Sequence, residues 1–330
     1  MPIARVVTFG ETMVQYNAKY QGPYKDDGEY VLDSAGAESN VAVNLMKILP
    51  ELETCWVSRL GCDEAGSFIL KELADRTNVV AERYTGEFTG ISYLNHFEDG
   101  RHVKSYSRQG SAASRLTFKD IEPELKSADL LHVTGITPSL SESCLNTVFT
   151  ALRYSKNQNI PVSFDLNYRE QLWSPQSAKS VFNEIIPYAS MLKVGHDEAE
   201  RIWANNWNPE EYARYFHGIT GELVVITQNE KGAIAFDGTN LIESLGYKVS
   251  VVDPVGAGDA FTAGMLALIL QQGGLKSFFE LDTKVCEKLL SEAIDVGNIC
   301  GALTCTKRGD TAAMPTMDQV LDFKKIRKLD

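Results

Sequence analysis

Short apolar runs alternate with amphipathic helical stretches along nearly the whole chain, and this alternation restricts the fold more than any other feature. The strand-like runs are ARVVTFGE, ETCWVSRLG, ADLLHVTG, IPVSFDLN, ASMLKVG, ELVVITQN, GAIAFDG and YKVSVVDP. Between them lie SNVAVNLMKIL, GSFILKELADR, SESCLNTVFTALRYSK and SPQSAKSVFNEII, the last opening with Ser174 as an N-cap and Pro175 at the first helical position. Such alternation builds βαβ units, so an α/β fold follows: a mostly parallel central sheet with helices on both faces. Ligands of such sheets bind outside the carboxyl ends of the strands. The 330 residues, 44% hydrophobic, can bury a large core as one α/β domain or two smaller ones.

One region breaks the alternation. GISYLNHFEDGRHVKSYSRQGS reads as two strands around Asp99-Gly100, a two-residue hairpin turn. That turn pairs Glu98 with Arg101, Tyr93 with Tyr106 and Ile91 with Arg108, and places Tyr93, Tyr106 and Arg108 on one face. The plain alternative is an amphipathic hairpin with two packing aromatics. Residues 11–35, rich in Tyr and Gly, can supply partner strands, giving a small β-strand lid built from about 11–35 and 86–110.

The net charge of −12 argues against nucleic acid or an anionic membrane as partner, and obliges any anionic ligand to be met by local arginines. FTAGMLALIL, the most apolar run, is far too short to span a bilayer. The chain enters its first strand without a charged-then-apolar leader, and six scattered cysteines without a C-x-x-C pair read as reduced core residues, so a cytoplasmic location is expected. The histidines show no metal spacing; His132 reads as a packed strand residue.

VVDPVGAGDAF, at 251–261, carries the chemistry. A strand over Leu245–Val252 and a turn at Asp253-Pro254 lead to Gly256-Ala257-Gly258, and a helix follows with Asp259 in its first turn and Gly273-Gly274 as its stop. A helix start offers unpaired N–H groups and partial positive charge, and glycines let an anion approach. Asp259 alone also fits a plain partner of the helix dipole. No glycine in the chain is followed by lysine, which excludes the common P-loop; Phe261 occupies the third glycine position of a dinucleotide fingerprint, leaving a hydride-transfer enzyme as a weak alternative. What remains is an anion cradle holding a carboxylate, suited to phosphoryl transfer with Asp259 taking the acceptor's proton.

With these residues in view, the chain resembles the ribokinase-like (PfkB) family of sugar kinases over essentially its whole length. DPVGAGDAF is similar to the family's C-terminal signature, which implies Asp259 as catalytic base and Gly256, Ala257 and Gly258 as the anion hole. AGAESNVAVNL at 35–45 resembles the N-terminal signature, implying Gly36 and Asn40 in the sugar site, and RLGCDEAG matches a further family segment. GAES, YSRQGSAAS, HVTGITPSLS and DLNYREQLWSP resemble the 2-keto-3-deoxygluconate kinases, a likeness that implies contacts to an acid sugar from Gly36, Tyr93, Tyr106, Arg108 and Arg169.

The resemblance further implies ATP and Mg²⁺ as cofactors, with nucleotide contacts at Thr227, Asn229 and Gly232 and an indirect metal role for Glu198. It implies a single ribokinase-like domain over 1–330 and a small sugar acid and ATP as the molecules bound, and an open lid with apolar outer strands suggests a homodimer through the lids. The expected reaction is transfer of the γ-phosphoryl of ATP to the C6 hydroxyl of 2-keto-3-deoxygluconate. The alternatives are a fructokinase-like enzyme acting on another hexose or sugar acid, and a catalytically silent sugar sensor. Several positions depart from the family pattern. Gln15 stands near the first-strand aspartate of many neutral-sugar members, Gly195 replaces the Asn of N-x-x-E, and Asn229 replaces a usual glycine. Pro254 replaces a common threonine beside the site where members often bind a monovalent cation, a cofactor that stays open here. Arg308-Gly309-Asp310 is expected in a loop near the adenine.

Overall fold

The structure, a computed structural model, describes residues 3–327. Nine strands form one sheet in the spatial order Leu241–Leu245, Gly232–Phe236, Leu223–Thr227, Met191–Gly195, Val162–Asp165, Leu130–Thr134, Arg5–Phe9, Glu53–Gly61, Asn78–Tyr84. From Leu223–Thr227 onward all neighbours are parallel; the first two strands are antiparallel additions at one edge. Every residue of Leu130–Thr134 and Val162–Asp165 is buried, because helices cover both faces, and this is why these strands read as continuous apolar runs. Consecutive residues serve opposite layers: Val6 belongs to the core that holds helices Ala37–Ile48, Ala257–Gln271 and Thr283–Thr304, Val7 to the core that holds Glu142–Asn157, Pro175–Ile185 and Pro209–Thr220. The expected cap is present, with Ser174 accepting from the Ser177 N–H just ahead of Pro175.

The run Tyr247–Pro254 is not a strand. The sheet ends at Leu241–Leu245, and the chain leaves it at Gly246, where a β-carbon would stand 2.2 Å from the Glu230 carbonyl oxygen. Val251 and Val252 are 62% and 46% exposed. Their β-branched character matches a strand, but the backbone here pairs with a helix end instead, the Val252 and Asp253 N–H groups donating to the Cys305 carbonyl at 2.8 and 3.2 Å.

Tyr30–Ala35, Met13–Gln21, Ile91–His96 and His102–Ser107 form a second sheet in that order, the lid. Its hairpin register differs by one residue from the two-residue turn. Phe97 and Arg101 close a three-residue loop, Glu98–Gly100, with Gly100 at φ 81°, the left-handed residue such loops require. Tyr106 therefore faces Ser92, and Tyr93 faces Ser105. A one-residue slip moves a side chain to the other face. Tyr106 keeps the cleft-facing side with Lys104, while Tyr93 lies on the opposite side, stacked on Tyr16 at 5.0 Å and edge-on to Tyr24 and Tyr30.

His132 is buried in its strand, with Nδ1 3.0 Å from Ser163 Oγ, and burial lowers it to about 4, so it stays neutral. All six cysteines are free; four are buried, Cys305 is half-buried and Cys62 is exposed rather than in the core. Among the described residues no helix is long and apolar enough to cross a membrane.

Candidate active site

Gly256 caps the helix Ala257–Gln271 at φ 79°, a conformation side chains other than glycine rarely adopt. A β-carbon there would also stand 2.1 Å from the carbonyl oxygen of Asp310, so the bareness of Gly256 admits the protein's own backbone. Gly258 is different: the nearest atom to its missing β-carbon is Lys193 Nζ, 3.4 Å away, and its open side faces a cavity of about 500 Å³. The carboxyl ends of Val162–Asp165, Met191–Gly195 and Leu223–Thr227 line the same cavity. The helix's first N–H groups, an ammonium and an uncluttered glycine thus converge where an anion can sit.

Asp259 is buried in the first turn and faces both this cavity and a smaller cleft beneath the lid. Burial lifts its carboxyl from 3.8 to about 7, the Asn40 hydrogen bond at 2.8 Å pulls it down, and Asp165 and Asp310 push it up again. A carboxylate poised near neutrality is what a general base at pH 7 needs. Lys193 and Asp165 form a buried pair at 2.7 Å on adjacent strands. Burial alone lowers the Lys193 ammonium, but Asp165, Glu198 and Asp259 outweigh that and hold it above its usual value, so it stays charged.

Beneath the lid, Gly36, Asn40, Tyr106, Arg108 and Arg169 line the small cleft beside Asp259, and Tyr93 does not. Gly36 precedes the helix Ala37–Ile48 and is boxed in by Thr12 and the Glu11 carbonyl. Arg108 is already engaged: Nε and Nη2 each lie 2.6 Å from Oε2 of buried Glu11. Arg169 reaches both cavities and donates to its neighbour's carbonyl, Tyr168 O, at 3.1 Å. Among the described residues neither Arg169 nor Lys104, which also faces both cavities, forms an ion pair within 4 Å, although Lys104 acts at longer range on Asp310 and Arg169 on Glu198.

Towards the antiparallel edge, Thr227, Asn229 and Gly232 line a third, mostly apolar cavity of about 280 Å³ that adjoins the anion cradle through Pro254, Ala257 and Gly258. Asn229 adopts φ 53°, the left-handed conformation glycine usually supplies, and its amide donates to Asp197 at 2.9 Å. The substitution for glycine therefore preserves the local backbone turn. Asp310 is not on this side; it lies in the acceptor cleft, against Asn40 and Gln15.

The pfkB family carbohydrate kinase profile matches residues 3–317. The chain belongs to this family. It is 31% identical to a 2-dehydro-3-deoxygluconokinase of Bacillus subtilis, over 96% of this chain and 94% of that one. It is 30% identical to fructokinase-2 of Zea mays, over 96% and 93%. A solved putative ribokinase II from E. coli, in complex with ATP and Mg²⁺, superposes with a TM-score of 0.83 at 20% identity, over 98% of this chain and 99% of that chain.

Several site residues of this pfkB-family kinase escape the sequence reading. Lys193 had a signal, a lone charge inside the apolar run MLKVG, and Lys104 shares the period-two face of Tyr106 and Arg108. Glu11 lies two residues past the carboxyl end of a central strand, Arg5–Phe9. Asp165 ends another such strand. Asp310 had no local signal, because its contacts are with residues almost three hundred positions away.

The residues facing the larger cavity suit a magnesium–nucleotide. Asp165 Oδ1 is buried without a hydrogen-bond partner, and Asp197 lines the same wall. Mg²⁺ is commonly held by one or two carboxylates plus phosphates, and among the described residues no three-ligand cage exists. Glu198 is less available, because its oxygens accept the Tyr168 N–H at 2.9 Å and the Gly195 N–H at 2.8 Å. Glu198→Gln leaves one of those donors without an acceptor. It is expected to lower stability by about 1–3 kcal/mol in urea titration, and an unchanged midpoint disproves this bracing role.

Proposed function

We propose that this carbohydrate kinase transfers the γ-phosphoryl of ATP to the C6 hydroxyl of 2-keto-3-deoxygluconate, acting as one domain whose lid covers the acceptor. The observation that carries the acid-sugar reading is the presence of two cations without carboxylate partners, Lys104 and Arg169, at the cleft that holds Asp259. A chain of net charge −12 repels an anionic substrate, and a charged site for it needs cations not locked in close ion pairs with the protein's own acids. Arg108 is largely spent on Glu11; its free edge, with Tyr106, shapes the cleft wall.

In this reading Asp259 takes the acceptor's proton, and the N–H groups of the Gly256–Gly258 turn, with Lys193, hold the charge of the moving phosphoryl group. Thr227, Asn229 and Gly232 receive the nucleotide. Asp165 and Asp197 would hold the magnesium, which screens the triphosphate's charge when bound. Support for the acid over a neutral hexose comes also from the B. subtilis relative, whereas the maize fructokinase, nearly as similar, favours fructose as the second reading.

A coupled ADP-release assay across sugars and sugar acids separates the two. The acid is expected to be strongly preferred, and Lys104→Ala and Arg169→Ala should each lower kcat/KM for it about ten- to hundredfold while changing residual activity on fructose little. Wild-type phosphorylation of fructose as efficient as that of the acid overturns the acid reading and leaves the kinase chemistry intact.

A further inference from the structure

The lid carries two of the chain's five histidines, and its hairpin brings them face to face. His96 ends one strand and His102 begins the next, so they are register partners across the three-residue loop. Their Nδ1 atoms lie 2.7 Å apart, with the rings nearly perpendicular at 82°. The spacing along the chain shows no metal pattern; only the loop length, set by the bond from Phe97 N–H to the Arg101 carbonyl, makes neighbours of positions 96 and 102. By the period of two, both imidazoles stand on the cleft-facing side of the sheet, next along the strand from Lys104 and Tyr106.

The two rings differ in what surrounds them. His96 is buried, and its Nε2 donates to Asn17 Oδ1, on the neighbouring lid strand, at 2.7 Å. That bond fixes the tautomer: Nε2 carries the proton, and Nδ1 presents a bare lone pair to His102. Burial lowers His96, Arg308 and His102 lower it further and Asp253 opposes them, so the ring is neutral near pH 7, as a metal ligand must be. His102 is exposed, so its ring can turn and its proton can sit on a water-facing Nε2. Metal-bound histidines are oriented in this way, one nitrogen donating to a carbonyl or carboxylate and the other left to coordinate. A plain hydrogen bond between the rings uses the same lone pair, but for a proton that the exposed ring can carry on its other nitrogen.

We propose that the lid hairpin holds a divalent transition-metal ion of the zinc class between His96 Nδ1 and His102 Nδ1, with water completing its coordination. Imidazole nitrogens suit Zn²⁺, Cu²⁺ or Ni²⁺, whereas Mg²⁺ and Ca²⁺ take oxygen ligands. Zn–N bonds of about 2.0–2.1 Å in a tetrahedral shell set the two nitrogens about 3.3 Å apart, which a small turn of the exposed His102 supplies. The ion takes the place of the proton between the rings, and that proton moves to His102 Nε2. It ties the strand bearing Lys104 and Tyr106 to its neighbour beside the loop, and so stiffens one wall of the cleft. The site is separate from the magnesium proposed for Asp165 and Asp197, and it rests neither on phosphoryl transfer nor on the choice of acceptor.

The test is calorimetric titration of the chelator-stripped full-length protein with Zn²⁺ in excess Mg²⁺, with amide hydrogen exchange around the loop Glu98–Gly100 followed alongside. Wild type is expected to bind a zinc ion that Mg²⁺ does not displace, and to exchange more slowly around the loop once it is bound. His102→Gln, at an exposed position where folding is not at stake, should lose that ion and exchange alike with and without Zn²⁺; His96→Gln should do the same. Asn17→Ala should weaken binding about 10–100-fold through loss of the orienting carbonyl. Three results overturn the proposal: no zinc bound by wild type, equal binding by wild type and His102→Gln, which means an ion held elsewhere, or loop exchange in wild type that is indifferent to zinc.

Discussion

Asp259→Asn is expected to fold normally and to turn over about 10²–10⁴-fold more slowly, with acceptor affinity little changed. The asparagine oxygen can still accept from Asn40, so the cleft keeps its shape and loses only the proton acceptor. In the native protein, kcat/KM should rise with pH through about 7, where buried Asp259 gives up its proton. The stability effect has the opposite sign. Because the folded-state value is raised from 3.8 to about 7, protonated Asp259 contributes stability that is full below pH 4 and is lost as pH rises through about 7. Asp259→Asn should therefore be more stable than wild type at pH 8, by up to about 4 kcal/mol, and indistinguishable from it near pH 4. A variant with near-native turnover rules out the base; one that gains no stability between pH 5 and 8 rules out the raised value.

Arg108→Ala should unfold far more easily, by about 3–5 kcal/mol in urea at pH 7. The cause is Glu11, 1% exposed in its side chain, which keeps only the Ser111 hydroxyl when the guanidinium is removed. Changing both partners, Arg108→Met with Glu11→Gln, is expected to recover most of the loss, since a buried pair contributes little net stability over apolar groups of like volume. Equal destabilisation by the single and double variants would mean that Arg108 acts through packing and not through Glu11. A raised KM in Arg108→Ala is therefore interpretable only beside the double variant.

Much of this was legible along the chain because it is local. Period, caps and turn residues placed the parallel strands, the cap at Ser174 and the helix start at Asp259, all set by neighbours within a few positions. Errors arose where pairing partners decide. Tyr247–Pro254 has strand-like residues but its backbone bonds to Cys305 at a helix end, and Tyr93 changed face because Gly100 completes a three-residue loop. The same limit applied to charge. That Arg108 is held by Glu11, while Arg169 and Lys104 are not so held, depends on contacts across 97 positions and on no pattern in either segment. Asn229 taught the reverse lesson: a departure from glycine leaves the backbone turn in place.

The acceptor cleft joins Asn40 from near the start of the chain to Asp259 and Asp310 near its end, separations of 219 and 270 residues. A ribosome releases the N-terminal part first, and the strands Arg5–Phe9, Glu53–Gly61 and Leu130–Thr134 can pair once about half the chain is out. The remaining stretch to Asp310 takes on the order of ten seconds to synthesise. Through that interval Asn40 and the lid strand bearing Gln15 have neither of their acidic partners. The working centre of the molecule is thus the last part its order of synthesis allows to close.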